Sequence, residues 1–307
     1  MKLLIIIVAF LAIAQSQTTT STSSRINQEE QAIIDEGTAL FEQGKYDEAI
    51  VKYKQILDKH PNNLPVLSKM ASIYFAAAKY DDAVKIATQG SAIESDYQPQ
   101  LFMILGNSFE KLGNTEEAIS TFKKAVEALP NNALLHFNLA ALLSNTGAFD
   151  DARSHLKTAV QLDPKHASTH FALGQIYYKQ EYLYPSTLAL FRFLTLEPNT
   201  QRSQKALSML DQNFKLESTA TTAPKDEGDF SNYESILSSI QKSKTKPARV
   251  EIIDRLFTAM SEGNQKGNFV LDYYFPYFVE LKKNGLIAPF TYYIYQSADP
   301  EASQWVK

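Results

Sequence analysis

The chain has 307 residues, a formal net charge of −4, 44 % hydrophobic residues and no cysteine. A charge this close to neutral gives no long-range positive field, which argues against a nucleic-acid-binding or an acidic-membrane-binding protein. Without cysteine there can be no disulfide, no thiol nucleophile and no lipid-attachment thiol.

The N-terminus is typical of an export signal. Met1 and Lys2 are followed by an apolar run from Leu3 to Ala14, which ends in the small-residue pattern Ala12-Ile13-Ala14. A membrane-spanning helix needs about 20 apolar residues, so this shorter run favours a signal peptide. We therefore expect cleavage after residue 14, an extracytoplasmic protein (periplasmic or secreted) and no stable membrane insertion afterwards. An uncleaved N-terminal anchor is the alternative.

Residues 15–29 begin as a stretch rich in Ser, Thr and Gln. Such composition lacks the apolar residues that a packed core needs, because each ordered residue must offset its lost conformational entropy by burial. We predict a disordered lead-in over this range.

A period of 34 residues dominates the next part of the chain. Pro130, Pro164 and Pro198 recur at this interval, and Pro61 lies two intervals plus one residue before Pro130. A fixed period of this length is typical of stacked supersecondary units rather than of one large core. Alignment on the prolines gives five units, at residues 30–63, 64–98, 99–132, 133–166 and 167–200.

Equivalent places of the five units contain equivalent side chains. The eighth place is always glycine or alanine, and the eleventh and most of the twenty-fourth are large and apolar. Small residues facing large ones at fixed offsets predict two closely crossing helices in every unit. The residues at the eighth place are Gly37, Ala71, Gly106, Ala140 and Gly174.

Each unit also contains helix stop and start signals. Glycine between the halves, as at Gly147, can adopt the left-handed conformation that ends a helix. An acidic pair such as Asp150-Asp151 then suits the N-terminus of a second helix, and the periodic proline ends that helix. These features resemble the tetratricopeptide repeat family, in which 34-residue helix-turn-helix units stack. The resemblance implies an all-α fold, a right-handed superhelical solenoid of five repeats.

The remaining residues predict a cap, a linker and a helical C-terminal extension. Residues 201–216 have the pattern of an amphipathic capping helix, which would complete a solenoid over residues 30–216. Residues 217–228 have no apolar periodicity and predict a linker. Residues 229–307 are rich in aromatic residues and contain candidate helices at 232–242, 247–262, 268–283 and 288–296, the third with a break or kink at Pro276. So much aromatic surface favours docking on the solenoid over an independent module.

The resemblance also implies a binding surface. In this family places 2, 5, 6, 9, 12 and 13 of the first helix line a concave face, where an extended peptide or helix commonly binds. A carboxylate clamp, known in one subclass, is not expected, because Met103, Ser168 and Ala172 stand where that subclass has basic residues. The apolar centre of the face could bind a partner or this chain's own C-terminal aromatics. The candidate groove residues are Met103, Asn107, Phe137, Asn138, Phe171, Gln175 and Tyr178.

The sequence contains no motif for catalysis, cofactors or metals. Phosphate-binding loops, the dinucleotide glycine fingerprint and the G-x-S-x-G elbow are all missing. His166 and His170 are four residues apart without an intervening glutamate, and repeat packing accounts for them. We expect an exported interaction scaffold or adaptor, not an enzyme, that binds an unidentified protein or peptide. The alternatives are an accessory enzyme with a site in residues 229–307 and a self-associating structural repeat protein, which would form homo-oligomers.

Overall fold

The computed structural model describes residues 26–214, 248–262 and 269–296, with single residues at 236, 239 and 298. The predicted signal peptide, the linker and the candidate helix at 232–242 lie outside this range, apart from the isolated positions 236 and 239. The described residues are helical without strands and form two compact units that divide between Gly113 and Asn114. Among them, no helix combines the length and the hydrophobicity needed to cross a bilayer.

The first compact unit contains five helices. Its core is made of apolar side chains from every helix, among them Ile34, Tyr53 and Leu101. The helices alternate as the first and second members of the predicted repeats, with α1 against α2 and α3 against α4. They are α1 (Gln28–Glu42), α2 (Tyr46–Lys59), α3 (Leu64–Ala76), α4 (Tyr80–Ser91) and α5 (Gln98–Lys111).

Helix α1 starts inside the predicted lead-in, so the expected boundary at residue 29 is wrong. The Asn27 side chain accepts the backbone N–H of Glu30 at 2.8 Å, and the Glu30 carboxylate accepts the backbone N–H of Asn27 at 3.1 Å. This reciprocal capping satisfies two N–H groups that a helix start would otherwise leave free. Residues 28 and 29 are therefore the first turn of the helix.

The second compact unit contains the remaining repeats and the C-terminal helices. Helix α11 is the predicted cap, and the C-terminal helices agree with three of the four candidates. The elements are α6 (Thr115–Ala128), α7 (Ala133–Asn145), α8 (Phe149–Leu162), α9 (Ala167–Lys179), α10 (Leu183–Leu196), α11 (Gln201–Asn213), α12 (Arg249–Glu262), a π-helix (Val270–Tyr274), α13 (Phe275–Lys283) and α14 (Ile287–Tyr295).

The turn inside each repeat has the same backbone geometry whether or not glycine is present. Gly44, Gly113 and Gly147 have φ values of 75°, 79° and 85°, while Ala78 and Glu181 have 56° and 60° at the equivalent position. For a residue with a Cβ this left-handed conformation costs about 1 kcal/mol. The repeat packing therefore imposes the turn, and glycine only lowers the conformational free energy that the turn costs.

The predicted small-to-large packing is present in the structure. A Cβ atom placed on Gly37 would lie 3.2 Å from the Tyr53 ring, and one on Gly174 would lie 2.8 Å from Cδ2 of Leu190. Both contacts join the eighth place of a first helix to the twenty-fourth place on the second helix of the same unit. The repeat frame derived from the prolines is thereby confirmed at these two positions.

The C-terminal helices pack on α10, in agreement with the docked alternative. The Phe191 ring of α10 lies 6.0 Å from Phe257, 6.0 Å from Phe278 and 5.5 Å from Phe290, measured between ring centroids. The expected irregularity near Pro276 is the π-helix that ends two residues before it. Proline cannot donate the backbone hydrogen bond that would continue a regular ladder.

Candidate functional site on the first helices of the repeats

The seven predicted groove residues all lie on first helices of repeats. Met103 and Asn107 are half-buried and one turn apart on α5, in the first compact unit. The other five lie in the second compact unit, two on α7 and three on α9. They are Phe137, Asn138, Phe171, Gln175 and Tyr178.

Phe137 is the most available of the predicted aromatic anchors. It is half-buried, and its ring meets the His166 ring edge-on with centroids 5.1 Å apart. Leu134, one turn earlier on α7, is 46 % exposed. Residues three apart on a helix share a face, so Leu134 and Phe137 form a continuous apolar patch. The amide of Asn138 donates to the Leu134 carbonyl at 2.8 Å and borders this patch.

Phe171, a candidate groove residue, lies beneath other side chains and does not line an open groove. It is only 8 % exposed, and the Phe193 ring of α10 lies 4.8 Å away. Two cations of the capping helix α11 lie over its ring, Arg202 at 5.9 Å and Lys205 at 5.8 Å from the centroid. Long basic side chains cover apolar rings in this way because their stems are apolar and the charge is attracted by the ring face. Phe171 is therefore a packing residue.

The cations above Phe171 differ in their partners. Arg202 donates from Nη1 to the Ser168 hydroxyl at 2.9 Å and from Nε to the Glu197 carboxylate at 3.0 Å. The hydrogen bonds from Arg202 lower the pKa of Glu197, so that carboxylate stays charged. Lys205 is exposed and forms no ion pair with any residue in the described part of the chain.

Sequence reasoning missed these cations because the repeat frame stopped at residue 200. Continuing the count into α11 places Arg202 and Lys205 at places 2 and 5 of a sixth first helix. Those are binding-face places in the family to which the resemblance points. The signal was therefore present in the sequence, in the helix that we interpreted only as a cap.

Tyr178 joins α9 to the capping helix at the other end of the face. Its hydroxyl donates to the side-chain oxygen of Gln212 on α11. Gln175, almost one turn earlier on α9, is half-buried. The Ser168–Arg202 and Tyr178–Gln212 contacts connect the two helices at both ends, so α11 continues the surface formed by α9.

The histidines at the fourth place of repeats four and five have structural roles. His136 and His170 each donate from Nε2 to the carbonyl of the preceding periodic proline, at 3.0 Å and 3.1 Å. In repeat four Nδ1 of His136 hydrogen-bonds Nδ1 of His155 at 3.0 Å, and in repeat five Nδ1 of His170 accepts from the Tyr274 hydroxyl at 2.9 Å. Burial lowers the pKa of His170 to about 4. Over the described residues, no three side chains of the metal-binding types cluster together.

Comparison with known families agrees with the geometry of the repeats. Family models described as tetratricopeptide repeat and TPR repeat match residues 40–107, 111–159 and 145–181. The chain is a tetratricopeptide repeat protein. Tetratricopeptide repeat proteins bind protein or peptide partners.

Curated relatives match only part of this tetratricopeptide repeat protein. The small glutamine-rich tetratricopeptide repeat-containing protein 2 of Mycosarcoma maydis is 28 % identical over 106 residues, which are 34 % of this chain and 30 % of the relative. RNA polymerase II-associated protein 3 of Homo sapiens is 32 % identical over 98 residues, 32 % of this chain and 15 % of the relative. The chain thus spans less than a third of either relative.

Solved structures of similar proteins match more than half of this chain. A thermophilic TPR protein of Thermus thermophilus is 22 % identical, with a TM-score of 0.45 over 59 % of this chain and 98 % of that chain. MamA from Desulfovibrio magneticus is 18 % identical, with a TM-score of 0.48 over 56 % of this chain and 97 % of that chain.

Proposed function

We propose that this protein is an exported scaffold or adaptor that binds an extended or helical segment of a partner protein along α7, α9 and α11. The observation that supports this most directly is the apolar patch of Leu134 and Phe137 on α7. Scattered exposed leucines are common on protein surfaces, but a leucine and a phenylalanine one turn apart offer contiguous area for a partner's side chain.

Polar groups around the patch suit a bound main chain. Ser168 and Gln175 on α9 stand at places 2 and 9, which line the binding face in this family. A hydroxyl or an amide side chain can both donate to and accept from a peptide backbone. The apolar patch would supply affinity and the amides would fix the direction and register of the segment. The role that we propose is binding and not catalysis.

The exported location rests on the N-terminal sequence. The apolar run at residues 3–14 and its small-residue end match a signal peptide in length and composition. We expect the mature protein from its native source to begin at Gln15 or a few residues later. Intact-mass measurement of the native protein tests this, and retention of residues 1–14 in a membrane fraction would contradict it.

Quantitative capture with matched variants tests the binding role. The mature wild type, Phe137→Ala and Leu162→Ala are immobilised at equal density and exposed to extract of the native compartment. Leu162, at the end of α8 and 37 % exposed, controls for the loss of an exposed apolar side chain away from the first helices. Loss of an aromatic anchor costs about 2 kcal/mol, so Phe137→Ala should weaken capture of the partner at least about tenfold.

The control and the fold check decide the outcome. Leu162→Ala should capture the partner as well as the wild type does, and circular dichroism should show unchanged helicity for both variants. Equal capture of every bound protein by Phe137→Ala and the wild type would remove the α7 patch from consideration as the binding site.

A further inference from the structure

We propose that the bound segment contains an Asp or Glu side chain that pairs with Lys205 on α11, in addition to the apolar side chain held by Leu134 and Phe137 on α7. The inference rests on the proposed function and adds the chemical class of the partner. It follows from what the structure places at the fifth position of repeat five. There the sequence predicts an aromatic ring, whereas the surface presents the ammonium group that covers that ring.

Lys205 has no competing anion in the described part of the chain. Its ammonium group lies 5.8 Å from the centroid of the Phe171 ring and is exposed. An ammonium over a ring face keeps most of its hydration and its full charge, because the ring quadrupole is a weak partner. A carboxylate brought by a partner would therefore meet an unpaired cation.

Two acidic groups on α11 or just before it already have cationic partners. Glu197 accepts two hydrogen bonds from Arg202, and Asp211 on α11 forms an ion pair with Arg249 at 3.2 Å. Arg202 and Glu197 together contribute no net charge, so among the described residues Lys205 is the uncompensated charge above Phe171. The described side chains over this ring therefore carry a net positive charge.

The absence of acids from the binding-face places reinforces the same conclusion. Places 2, 5, 6, 9, 12 and 13 of α7, α9 and α11 contain no Asp or Glu. A basic segment would find no carboxylate at any of these places. An acidic segment gains the Lys205 pair without meeting a like charge, and complementarity of this kind selects partners more than it adds affinity.

The arrangement fits a side-chain carboxylate within a segment rather than a chain terminus. Arg202 is directed to Glu197 and Ser168, so its guanidinium is not free to enclose a terminal carboxylate together with Lys205. One exposed ammonium on an open surface can pair with a single Asp or Glu at any point along a segment. We therefore assign the anion to a side chain.

A library of N-acetylated, C-amidated octapeptides, in which one position at a time is fixed, tests the proposal with the mature protein. The wild type should enrich pools with Asp or Glu at one position and pools with a large apolar residue at another. Lys205→Gln should reduce the acidic enrichment about two- to fivefold, the range of an exposed ion pair. Lys205→Glu should shift the preference at that position to Lys or Arg.

The matched control is Lys165→Glu, which makes the same charge change on an exposed lysine in the turn between α8 and α9. It should keep the acidic preference of the wild type. Circular dichroism of all three lysine variants checks that the helices are intact. A loss of acidic preference in Lys165→Glu equal to that in Lys205→Glu would indicate a general field effect and overturn the assignment to Lys205.

The remaining outcomes separate the two proposals. Apolar enrichment that depends on Phe137 without any acidic preference would overturn this inference and leave the proposed function standing. No enrichment in any pool would count against both. Octapeptides with a free C-terminus should bind no better than amidated ones, and a requirement for the free carboxylate would show that the anion is a chain terminus and overturn the side-chain assignment.

Discussion

Repeats four and five share one frame and differ in what covers their second helices. In α8 of repeat four only five of 14 residues are buried, whereas in α10 of repeat five 11 of 14 are. The twenty-fifth place shows the difference most clearly, with Lys157 in α8 and Phe191 in α10. A helix with apolar residues on all sides must be covered on all sides, and the C-terminal helices provide that second cover for α10.

The same contrast appears in the buried hydrogen bonds. His155 at the twenty-third place of α8 bonds the fourth-place His136 of its own repeat, but Ala189 takes that place in α10. In repeat five the Tyr274 hydroxyl, far along the chain, hydrogen-bonds the fourth-place His170 instead. Repeat five thus gives up an internal contact and accepts the C-terminal segment instead. Repeat four touches the C-terminal segment only at its edge, where Lys157 lies over the Phe269 ring at 5.8 Å from the centroid.

The substitution with the largest expected effect disrupts the docking of the C-terminal helices on α10. Phe191 is fully buried among three rings of the C-terminal helices, so Phe191→Ala should lower the free energy of unfolding by about 3–5 kcal/mol through lost burial and the cavity left behind. Lys157→Ala, at the same place of repeat four, removes only a half-buried side chain that lies over the Phe269 ring at 5.8 Å, and it should cost less than about 1 kcal/mol. Chemical denaturation of both variants measures the difference, and equal losses would show that the two repeats are covered alike.

A smaller effect tests what the repeats have in common. Gly174→Leu should lower the free energy of unfolding by about 1–3 kcal/mol, because its Cβ alone would lie 2.8 Å from Cδ2 of Leu190. Truncating the opposing side chain as well, in Gly174→Leu with Leu190→Ala, should recover part of this loss. The melting temperatures of the single and double variants report it. A single variant as stable as the wild type would be incompatible with the small-to-large packing.

The smallest expected effect is on the pH dependence of stability, and it compares the buried His170 of repeat five with His155 of repeat four. Burial holds the pKa of His170 at about 4, so its neutral form is favoured in the folded protein. The unfolded chain binds a proton on this histidine near pH 6.5, whereas the folded protein does so only near pH 4. The contribution of His170 to the free energy of unfolding is therefore fully present above about pH 6.5 and is lost as the pH falls toward 4. Between pH 7 and pH 5.5 the loss is about 1 kcal/mol.

Variants of both histidines separate their contributions. His170→Gln should flatten the dependence of unfolding free energy on pH in that interval. His155→Gln should flatten it less, because His155 is only half-buried, although burial lowers its pKa too. Arg192 and His166 also lower the pKa of His170 and Asp163 raises it, so these residues stay unchanged in the series. A slope that is insensitive to His170→Gln would contradict a neutral buried imidazole.

By itself the sequence determined the repeat frame, the helix pairs and the all-α class. Those features depend on local signals, such as the helix-ending prolines, the turn glycines and the small residue at the eighth place, and on their recurrence at a fixed spacing along the chain. The capping box at Asn27 and Glu30 was equally local, and a closer inspection of the start of α1 would have found it.

Only the tertiary structure decided which repeat positions are covered and by what. Phe137 and Phe171 hold the same place in consecutive repeats, yet one remains half-exposed and the other lies under Phe193, Arg202 and Lys205. Likewise the contact between His170 and Tyr274 joins residues that are 104 positions apart. Burial of this kind depends on elements that are distant in sequence, whose approach is set by the summed packing of many side chains and not by any local pattern.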